Sequence, residues 1–596
     1  MTGSSNPGAV RTPPRTRFID AFAIGLSFAW LAGLVHFGET VVARHVLHEL
    51  VWVSRDFQWM APLAYGLVIL PVVLILSLLY AALGTPWLLR LTIFASAIIA
   101  GFGVLLPYSQ IARIASLVLA AGAAFQLARG ELARAVPRYR RFAFVGALVI
   151  AALAGLMPWW RGHQSRQALQ GLPVAPSGAT NVLLIILDTV RAASLSLYGN
   201  PEPTTPHLEQ WAREGAVFSE TYAVAPWTLP SHASLFTGRY AGELSADWKT
   251  PLGNSDSTLA ELFARRGYAT GAFMANMHYT SWDAGLDRGF ATYLDYRTSW
   301  WQLVRSSAWT QTAMFDQLRS ARSIAAVISA LVHPDLSIDM KHTFDRKLGT
   351  EVTTQFLAWQ RTVGVRPFFA VLNYFDAHQP YYAPVAYQHF PRSGGTARYK
   401  AAIAYLDHNI DSILVELKQR GQLEHTLVVV TSDHGELFNE HGLSGHAHNL
   451  YRNVLRVPLL LRLPAAVPQG VRIPTTVSLR DVPATIIDLA GLPGAHVPGA
   501  SLRATWTDSS ASRSPALSEV SHAPNVSPTY PTAKGPMKSL TADAIHYIRN
   551  GDRREEFFDM RADTSESTNL VASRADEVVR WRARVDSVLA ARTRPH

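Results

Sequence analysis

The sequence NVLLIILD at positions 181–188 is a short apolar run of β-forming residues that ends at an aspartate. Two later segments have the same form: PFFAVLNY at 367–374 is followed by DAH, and LVVV at 427–430 is followed by TSDHGE. Helical patterns such as 205–215 and 256–267 alternate with these runs, which predicts a buried, mostly parallel sheet with helices on both faces. Ligands bind beyond the carboxyl ends of the strands in such sheets, so we expect the three polar clusters to converge.

The polar residues at two of these strand ends are suited to hold a metal ion. Asp188 directly follows the first strand, and Asp433 and His434 follow the strand at 427–430. Each alone is as typical of a helix cap or a turn. Carboxylate and imidazole together are ligands for a divalent cation of the zinc or manganese type, so the two strand ends predict a metal site.

A hydroxyl group stands in the segment APWTLPSHASLFTGR at 225–239. Thr228 precedes Pro230, and we expect a helix to begin near Ser231. A hydroxyl placed before a helix N-terminus faces free backbone N–H groups and the positive end of the helix dipole. That environment favours a nucleophile that attacks an anionic ester, although a residue in this place is also typical of a cap or turn.

Long apolar runs dominate the first 160 residues of the chain. A membrane-spanning helix needs about 20 apolar residues, and most of these runs qualify. The fourth is the shortest and must extend back past Arg113 to span. The alternative is that one run is re-entrant or lies at the interface. The first run is not a cleavable signal, because four more follow and no small-residue cleavage site stands out. The five runs are 21–37, 59–83, 91–107, 114–127 and 142–160.

Arginine placement predicts the orientation of these helices, because cytoplasmic loops are enriched in basic residues. If the arginine-rich segments before the first run and between the fourth and fifth runs are cytoplasmic, Trp159 and Trp160 lie at the outer interface. The rest of the chain is then periplasmic or extracellular. We therefore predict a multi-pass integral membrane protein with an exported catalytic domain. The arginines stand in the N-terminal tail and between the fourth and fifth runs, at Arg11, Arg15, Arg17, Arg129, Arg134, Arg138, Arg140 and Arg141.

The composition agrees with a membrane part joined to a soluble part. The 596 residues are 48% hydrophobic and only 16% charged. The net charge of +10 does not indicate nucleic-acid binding, because much of the basic excess lies beside apolar runs and no nucleic-acid-binding motif is present. The chain has no cysteine, which excludes disulfides, thiolate metal ligands and a cysteine nucleophile.

Residues 298–345 are predicted to be a mostly helical insertion that begins at Trp300 and Trp301. Its segment SIAAVISALV has the pattern of an amphipathic helix. The insertion is interpreted either as a packed helical excursion or as a lid or membrane-facing surface.

The segment around Thr228 resembles the signature of the sulfatase family, within the alkaline phosphatase superfamily. That signature is a Cys or Ser, any residue, Pro-Ser-Arg, a leucine-rich stretch and Thr-Gly-Arg; this chain reads TLPSH at 228–232 and LFTGR at 235–239. Further blocks are similar to the family in the same order over roughly 400 residues, which is far more specific than one motif. They are 187–200, 205–223, 285–293, 376–381, 432–442, 446–462 and 555–570.

The resemblance implies roles for individual residues. Asp188, Asp433 and His434 should bind the metal, and Thr228 should be both a metal ligand and the nucleophile. His378 should contact the leaving or anionic group of the substrate. Further contacts with the substrate or nucleophile are implied for His232, Arg191, His446 and His448, and each of these histidines could instead be structural.

Three departures from the family pattern bear on the chemistry. Threonine cannot be converted to the formylglycine of classical sulfatases, so no formylglycine is expected. Thr189 stands in place of a second Asp, which favours Mn²⁺ or Zn²⁺ over Ca²⁺. His232 replaces the Arg of the signature. Together they make the site more similar to phosphoryl-transfer relatives with a threonine nucleophile.

We therefore predict a metal-dependent hydrolase of sulfate or phosphate esters. The alternatives are a transferase of phosphoethanolamine or glycerol phosphate to a lipid or glycan acceptor, and a non-catalytic scaffold. The expected partners are membrane lipids and a small-molecule, glycan or lipid ester, with one divalent metal ion and no nucleic acid. Nothing in the sequence sets the oligomeric state, or excludes a second metal near His441, His446 and His448.

The predicted fold class is α/β. A bundle of five transmembrane helices precedes an alkaline-phosphatase-like α/β/α domain with a mostly parallel sheet and a small C-terminal α+β subdomain. The predicted boundaries are a cytoplasmic tail at 1–17, a transmembrane domain at 18–160, a linker at 161–178, a catalytic domain at 179–493 and the C-terminal subdomain at 494–596.

Overall fold

A computed structural model describes residues 13–108, 110–311, 346–390, 396–492, 494–507, 514–523 and 526–592. The chain divides into two compact units. The first contains residues 1–163 and 297–323, and the second contains residues 164–296 and 324–596.

The first unit is a helical bundle. Four of its helices are long and apolar enough to cross a membrane, whereas the fourth in sequence has only 16 residues. Five helices therefore form where five were predicted, but four of them meet the length of a span. They are α1 (Pro14–His45), α2 (Phe57–Leu83), α3 (Pro86–Leu105), α4 (Arg113–Ala128) and α5 (Leu132–Gln170).

Glycine allows α1 and α2 to pack closely. A Cβ atom at Gly33 would lie 2.3 Å from the backbone of Pro62, and one at Gly25 would lie 2.2 Å from Val73. Ala29 lies midway between these glycines and is fully buried. This spacing of small residues every four positions brings helix backbones together in apolar surroundings.

Helix α5 corrects the predicted linker. It runs to Gln170, so residues 161–170 are helical rather than part of a linker from 161 to 178. After Gly162 these residues are good helix formers, and the next strong helix breakers are Gly171 and Pro173. Arg161, at the start of this extension, also forms an ion pair with the buried Asp56 at 2.7 Å.

The chain returns to the first unit at residue 297. Helix α9 (Trp300–Val304) begins the predicted insertion, and its Trp301 is buried. The indole N–H of Trp309 donates to the Ile99 carbonyl oxygen at 3.0 Å. The described part of the insertion is thus packed within the helical bundle. Residues 312–345, including SIAAVISALV, lie outside the described residues.

The second unit is built on a nine-stranded, mostly parallel sheet, as predicted. The strand order is β11-β2-β10-β6-β1-β5-β3-β4, with β9 paired to β2. The strands are β1 (Asn181–Leu187), β2 (Ala216–Tyr222), β3 (Ala269–Met274), β4 (Thr292–Leu294), β5 (Phe368–Tyr374), β6 (Thr426–Thr431), β9 (Arg456–Val457), β10 (Leu459–Arg462) and β11 (Val471–Ser478).

The central position of β1 brings the polar strand ends together. It pairs in parallel with β5 on one side and β6 on the other. Leu187 lies opposite Tyr374, and Ile186 lies opposite Thr431, so all three strands end at one edge. The apolar side chains of these strands form the main core with the helices. Beyond the edge, β7 (Leu437–Phe438) and β8 (Ser444–Gly445) form a small ribbon.

Helices surround this sheet and connect its strands. The helices of the second unit are α6 (Pro206–Ala212), α7 (Thr228–Thr237), α8 (Leu259–Ala264), α10 (Gly349–Val363), α11 (Thr396–Gln419), α12 (Arg452–Leu455), α13 (Val482–Leu489), α14 (Ala504–Thr507) and α15 (Ala575–Ala590).

A four-stranded antiparallel sheet follows, as the predicted C-terminal α+β subdomain requires. Helix α15 contributes Val578, Trp581 and Val585 to a core that it shares with this sheet. The strands are β12 (Ala516–Val520), β13 (Met537–Ala542), β14 (Ile545–Arg549) and β15 (Glu555–Asp559).

Candidate active site

The three predicted metal ligands meet at the carboxyl edge of the sheet. Asp188 follows β1, and Asp433 and His434 follow β6. One ligand atom of each lies within 4.8 Å of those of the others, and all three side chains are fully buried. Their arrangement follows directly from the parallel pairing of β1 with β6.

Asp433 presents one oxygen to this centre. Its Oδ1 accepts hydrogen bonds from the backbone N–H groups of Thr189 at 3.1 Å and His434 at 2.9 Å. Its Oδ2 is buried and accepts no hydrogen bond from the described residues. Burial raises the pKa of Asp433 to about 7 and, with the charge of Asp433, raises that of Asp188. Two buried carboxylates without a counter-ion are unfavourable, and a divalent cation would stabilise them.

The imidazole of His434 has the tautomer that a metal ligand requires. Its Nδ1 lies 3.0 Å from the Gly435 carbonyl oxygen and therefore carries the proton, which leaves Nε2 as an acceptor. Burial lowers the pKa of His434 to about 3, so the ring is neutral. Two carboxylates and a neutral imidazole fit a divalent cation of the zinc or manganese type.

Thr189, which replaces a carboxylate of the family pattern, supports Asp188. Its hydroxyl donates to Asp188 Oδ1 at 2.9 Å. The residue has a φ of 67°, which turns the chain sharply after β1. The substitution therefore leaves two carboxylates in the centre, as the sequence indicated.

Thr228 borders the metal centre. Its Oγ1 lies 3.4 Å from Nε2 of His434 and 3.4 Å from the side-chain amide of Asn276. The expected helix start near Ser231 is wrong, because α7 begins at Thr228 itself. Pro230 is compatible with this because the first turn of a helix needs no N–H from that position. The hydroxyl thus lies at the amino end of the helix dipole, close to the metal ligands.

His232 lies one turn further along α7 and is fully buried. Its Nδ1 donates to the carbonyl oxygen of Thr228 at 3.0 Å. Burial lowers its pKa, which favours the neutral ring. Its described contact with Thr228 is to the backbone, so it supports the position of Thr228 rather than touching the hydroxyl.

His378 and His446 lie beside His434. The ring of His446 is 4.5 Å from that of His434 and 5.0 Å from that of His378. Burial alone would lower the pKa of His446, but the Glu436 carboxylate at 3.1 Å from its Nδ1 raises it overall. Burial, reinforced by His446, holds the pKa of His378 well below its usual value. The two rings therefore offer different protonation states next to the metal ligands.

Arg346 fixes the loop that carries His378. Its guanidinium donates to the backbone carbonyl oxygens of Phe375 and His378 at 3.0 Å and of Gln379 at 2.7 Å. The ring of His378 in turn stacks on Phe375, with a centroid distance of 4.2 Å. Sequence reasoning missed Arg346, because no pattern links it to the DAH segment.

Arg191 has its guanidinium engaged outside the metal centre. It forms an ion pair with Glu440 at 2.6 Å and donates to Ser194 at 2.9 Å. Within the described residues, it makes no hydrogen bond to a metal ligand or to Thr228. A substrate contact for Arg191 stays a prediction.

The histidines near which the sequence left a second metal open make other contacts. His441 stacks on Tyr451 at 3.7 Å, and His448 accepts or donates a hydrogen bond at Thr532. In the part of the chain that the structure describes, the group suited to bind a metal is Asp188, Asp433 and His434, without these histidines.

A column of aromatic rings runs from Trp227, the residue before Thr228, to His448. Trp227 and Trp248 stack in parallel at 4.3 Å, and Trp248 stacks on His448 at 5.6 Å. Tyr530 lies on His448 at 4.6 Å. The backbone N–H of Ala447 donates to the Pro226 carbonyl oxygen at 2.8 Å, which ties the loop of His446 and His448 to the peptide before Thr228.

Two buried asparagines of the site were missed. Asn276 donates to Asp188 Oδ2 at 3.0 Å, and Asn373 donates to the same atom at 3.3 Å. Asn373 is an amide at the end of the apolar strand β5, and Asn276 is the second residue after β3. Asp188 was identified because ligands bind beyond the carboxyl ends of parallel strands. The same rule applies to both asparagines, since it holds for any polar residue at a strand end.

Fold and site together define an enzyme-like member of the alkaline phosphatase superfamily, with a group of residues suited to bind a metal at the carboxyl edge of a mostly parallel sheet. The sequence profile described as Sulfatase matches residues 180–492, which is more than half of the chain. The chain belongs to the sulfatase family.

Relatives and solved structures agree with this assignment. Mouse steryl-sulfatase is 26% identical over 54% of this chain, and the match spans 65% of the length of that enzyme. An uncharacterised sulfatase of Escherichia coli is 24% identical over 66% of this chain, and the match spans 83% of the length of that protein. The crystal structure of a phosphonate monoester hydrolase of Agrobacterium radiobacter shares the fold, with a TM-score of 0.55 and 20% identity over 69% of this chain and 95% of that one.

Proposed function

We propose that this protein hydrolyses sulfate or phosphate esters at a single divalent metal site, with Thr228 as the nucleophile. The observation that carries the proposal is the position of the Thr228 hydroxyl, 3.4 Å from His434 within the group formed with Asp188 and Asp433. A divalent cation held there would stabilise negative charge on the transferred group and on the threonine oxygen.

The residues of the site account for the reaction steps. The Thr228 hydroxyl loses its proton to water as its oxygen forms a bond to phosphorus or sulfur, and the bond to the alcohol oxygen breaks as that oxygen takes up a proton. His446, held by Glu436, is placed to supply this proton, and His378 to contact the oxygens of the transferred group. Water then cleaves the threonine adduct, which releases phosphate or sulfate and restores the hydroxyl.

We propose that phosphate esters are the faster substrates. A sulfated threonine has to be cleared by attack at sulfur, which is harder than attack at phosphorus. Threonine cannot follow the formylglycine route that avoids this step, so no formylglycine is expected.

A transferase is the second candidate. The apolar helices of the first unit and the threonine nucleophile both suit an enzyme that moves a phospho-group from a lipid donor to a lipid or glycan acceptor. Such an enzyme would form the same threonine adduct and pass it to an alcohol instead of water.

Membrane anchoring is part of the proposal. The four long apolar helices are consistent with a membrane-bound protein. We propose that arginine-rich segments keep the N-terminus in the cytoplasm and that the second unit lies in the periplasm or outside the cell.

Trapping of the adduct tests the proposal. Purified full-length protein would be incubated with an aryl sulfate, an aryl phosphate and a phosphodiester, and the peptide containing Thr228 analysed by mass spectrometry. We expect a phosphate or sulfate adduct in wild type and its absence in Thr228→Ala, with turnover lowered at least about a thousandfold. A phosphodiester adduct that persists until an acceptor alcohol is added would favour the transferase, and near-normal turnover by Thr228→Ala would refute the nucleophile.

A further inference from the structure

A second cluster of polar side chains lies inside the first unit, apart from the metal centre. His36 and Glu39 stand on one face of α1, since they are three residues apart, and Tyr65 belongs to α2. His36 and Tyr65 are more than nine-tenths buried. The His36 ring meets those of Phe57 and Tyr65 edge-on, at centroid distances of 5.2 and 5.8 Å.

Two of these side chains have a buried polar atom without a hydrogen-bond partner among the described residues, namely Nδ1 of His36 and Oε2 of Glu39. The Tyr65 hydroxyl lies beside the backbone of Ala308, and its oxygen can still accept a hydrogen bond when its proton is donated there. The other carboxylate oxygen of Glu39 accepts a hydrogen bond from Tyr108 at 3.0 Å, which fixes the side chain. Unsatisfied polar atoms are costly in apolar surroundings, so two in one cluster indicate a missing binding partner.

The chemistry of the three atoms indicates which partner fits. A carboxylate oxygen, an imidazole nitrogen and a phenol oxygen all accept hydrogen bonds. A primary ammonium group carries three N–H donors and a positive charge. Its three donors match the three acceptor atoms, and its charge matches the carboxylate of Glu39. The rings of Phe57 and Tyr65 add the cation–π attraction that aromatic side chains offer to ammonium groups.

The position of the cluster favours a lipid as the source of the ammonium group. His36 is about 33 Å along α1 and Tyr65 is about 12 Å along α2 from their first residues, at 1.5 Å per residue. With a hydrocarbon core of about 30 Å, both lie toward the bilayer face at which α1 ends and α2 begins. Arg161 of α5 also lies at this end, where it pairs with Asp56 just before α2.

We propose that His36, Glu39 and Tyr65 bind the ammonium group of an ethanolamine phospholipid at this face of the membrane. The proposal rests on the proposed membrane insertion of the first unit, but not on the reaction of the second unit. The ligand can be a bound structural lipid or a substrate.

Lipid retention tests this site. Full-length protein would be equilibrated in mixed micelles with equal amounts of phosphatidylethanolamine and phosphatidylcholine, repurified, and its bound lipids counted by native mass spectrometry. We expect wild type to retain the ethanolamine lipid at least about tenfold better, because the trimethylammonium group of phosphatidylcholine has no N–H to donate. Equal retention of both lipids would overturn the proposal.

Variants separate the site from general lipid adhesion. Glu39→Gln and Tyr65→Phe should each lose most of the preference, and Tyr65→Phe keeps the ring and its packing. Ser77→Ala is the matched control, because it removes another buried hydroxyl from α2, about 18 Å further along the helix. The proposal is wrong if both Glu39→Gln and Tyr65→Phe keep the wild-type preference with unchanged helix content. Displacement of the lipid by an equal concentration of free ethanolamine would overturn its assignment to a lipid.

Discussion

Asn276 shows how much of the metal centre depends on residues that are not ligands. Its buried amide donates to Asp188 at 3.0 Å and to Thr228 at 3.4 Å, and so links a metal ligand to the proposed nucleophile. Neither partner can turn away while both bonds persist. The amide therefore orients the centre without binding the metal itself.

We expect Asn276→Ala to weaken metal binding without unfolding the protein. After chelation, the Mn²⁺ or Zn²⁺ concentration that restores half of the activity should rise about 10–100-fold, as is typical when the partner of a ligand is removed. Metal titration of the chelated enzyme measures this. Asn200→Ala is the control, because the described hydrogen bonds of the Asn200 side chain go to the backbone of Ala193 and Glu202 and not to the metal site. An unchanged titration for Asn276→Ala would contradict the proposed role.

Asp376 is a buried carboxyl group whose protonation affects stability. Burial raises its pKa to about 7, although Gly349 donates a backbone hydrogen bond to it at 3.1 Å. In the unfolded chain the pKa is about 3.9. Between these values the unfolded chain loses a proton that the folded chain keeps, so the free energy of unfolding falls as the pH rises.

Asp376→Asn should remove this loss of stability, because the amide resembles the protonated acid. We expect the free energy of unfolding of the variant to exceed that of the wild type, by a difference that grows from pH 5 to pH 8 and reaches at most about 4 kcal/mol. The melting temperature should rise accordingly. Thermal unfolding of the full chain at several pH values measures this difference. A constant difference across this range would show that Asp376 ionises normally in the folded state.

Residue identity was predictable where a strand pattern pointed to it. Asp188, Asp433 and His434 were found because each follows an apolar run, and parallel strands end at one edge. Asn276 and Asn373 obey the same rule, but an uncharged amide at a strand end is a weaker signal of a metal site than a carboxylate or an imidazole. The partner of Arg191 was not predictable, since the Glu440 that binds it is 249 residues away.

At the scale of elements, the contact of α1 with α2 depends on the absence of a side chain. A Cβ atom at Gly33 would lie 2.3 Å from backbone atoms of Pro62, which cannot move without displacing the helix. Gly38 lies five residues later on the same helix, and a Cβ atom placed on it would have no neighbouring atom within 4 Å. These two glycines therefore form a matched pair.

Gly33→Ala should destabilise the first unit by about 1–3 kcal/mol through overpacking. Gly38→Ala should be neutral or stabilising by up to about 1 kcal/mol, because alanine favours the helix. Thermal unfolding in detergent compares the two variants. Equal melting temperatures would show that α1 and α2 are not as close in the membrane protein.

Elements were predictable where their apolar pattern was long. The three central strands β1, β5 and β6 and the N-terminal helices were located from hydrophobic runs, and the mostly parallel pairing followed from their alternation with helices. Helix ends were not, because α5 continues through polar residues 161–170 and α7 starts at Thr228. Helix α5 continues because the next strong breakers are Gly171 and Pro173, and α7 starts before Pro230 because the first turn of a helix tolerates proline.

At the scale of the whole molecule, the absence of cysteine allows a clean test of the proposed orientation. Val365 is fully exposed in the second unit, and Arg138 is exposed at the start of α5. Val365→Cys should react with a membrane-impermeant maleimide on intact cells stripped of any outer envelope, whereas Arg138→Cys should react only after the membrane is opened. The reverse pattern would place the second unit in the cytoplasm.

The return of the chain to the first unit at Arg297 has a consequence for cutting the molecule apart. In many membrane-anchored proteins the soluble domain follows the anchor as one continuous segment of the chain. A single proteolytic cleavage then releases the soluble domain, and deletion of the anchor allows it to be expressed alone. Here such a deletion would remove the helices that cover Trp301 and Trp309, and would leave both side chains as exposed apolar surface on the soluble product. If the first unit is inserted in a membrane as proposed, release of the second unit would take more than one cleavage of the chain.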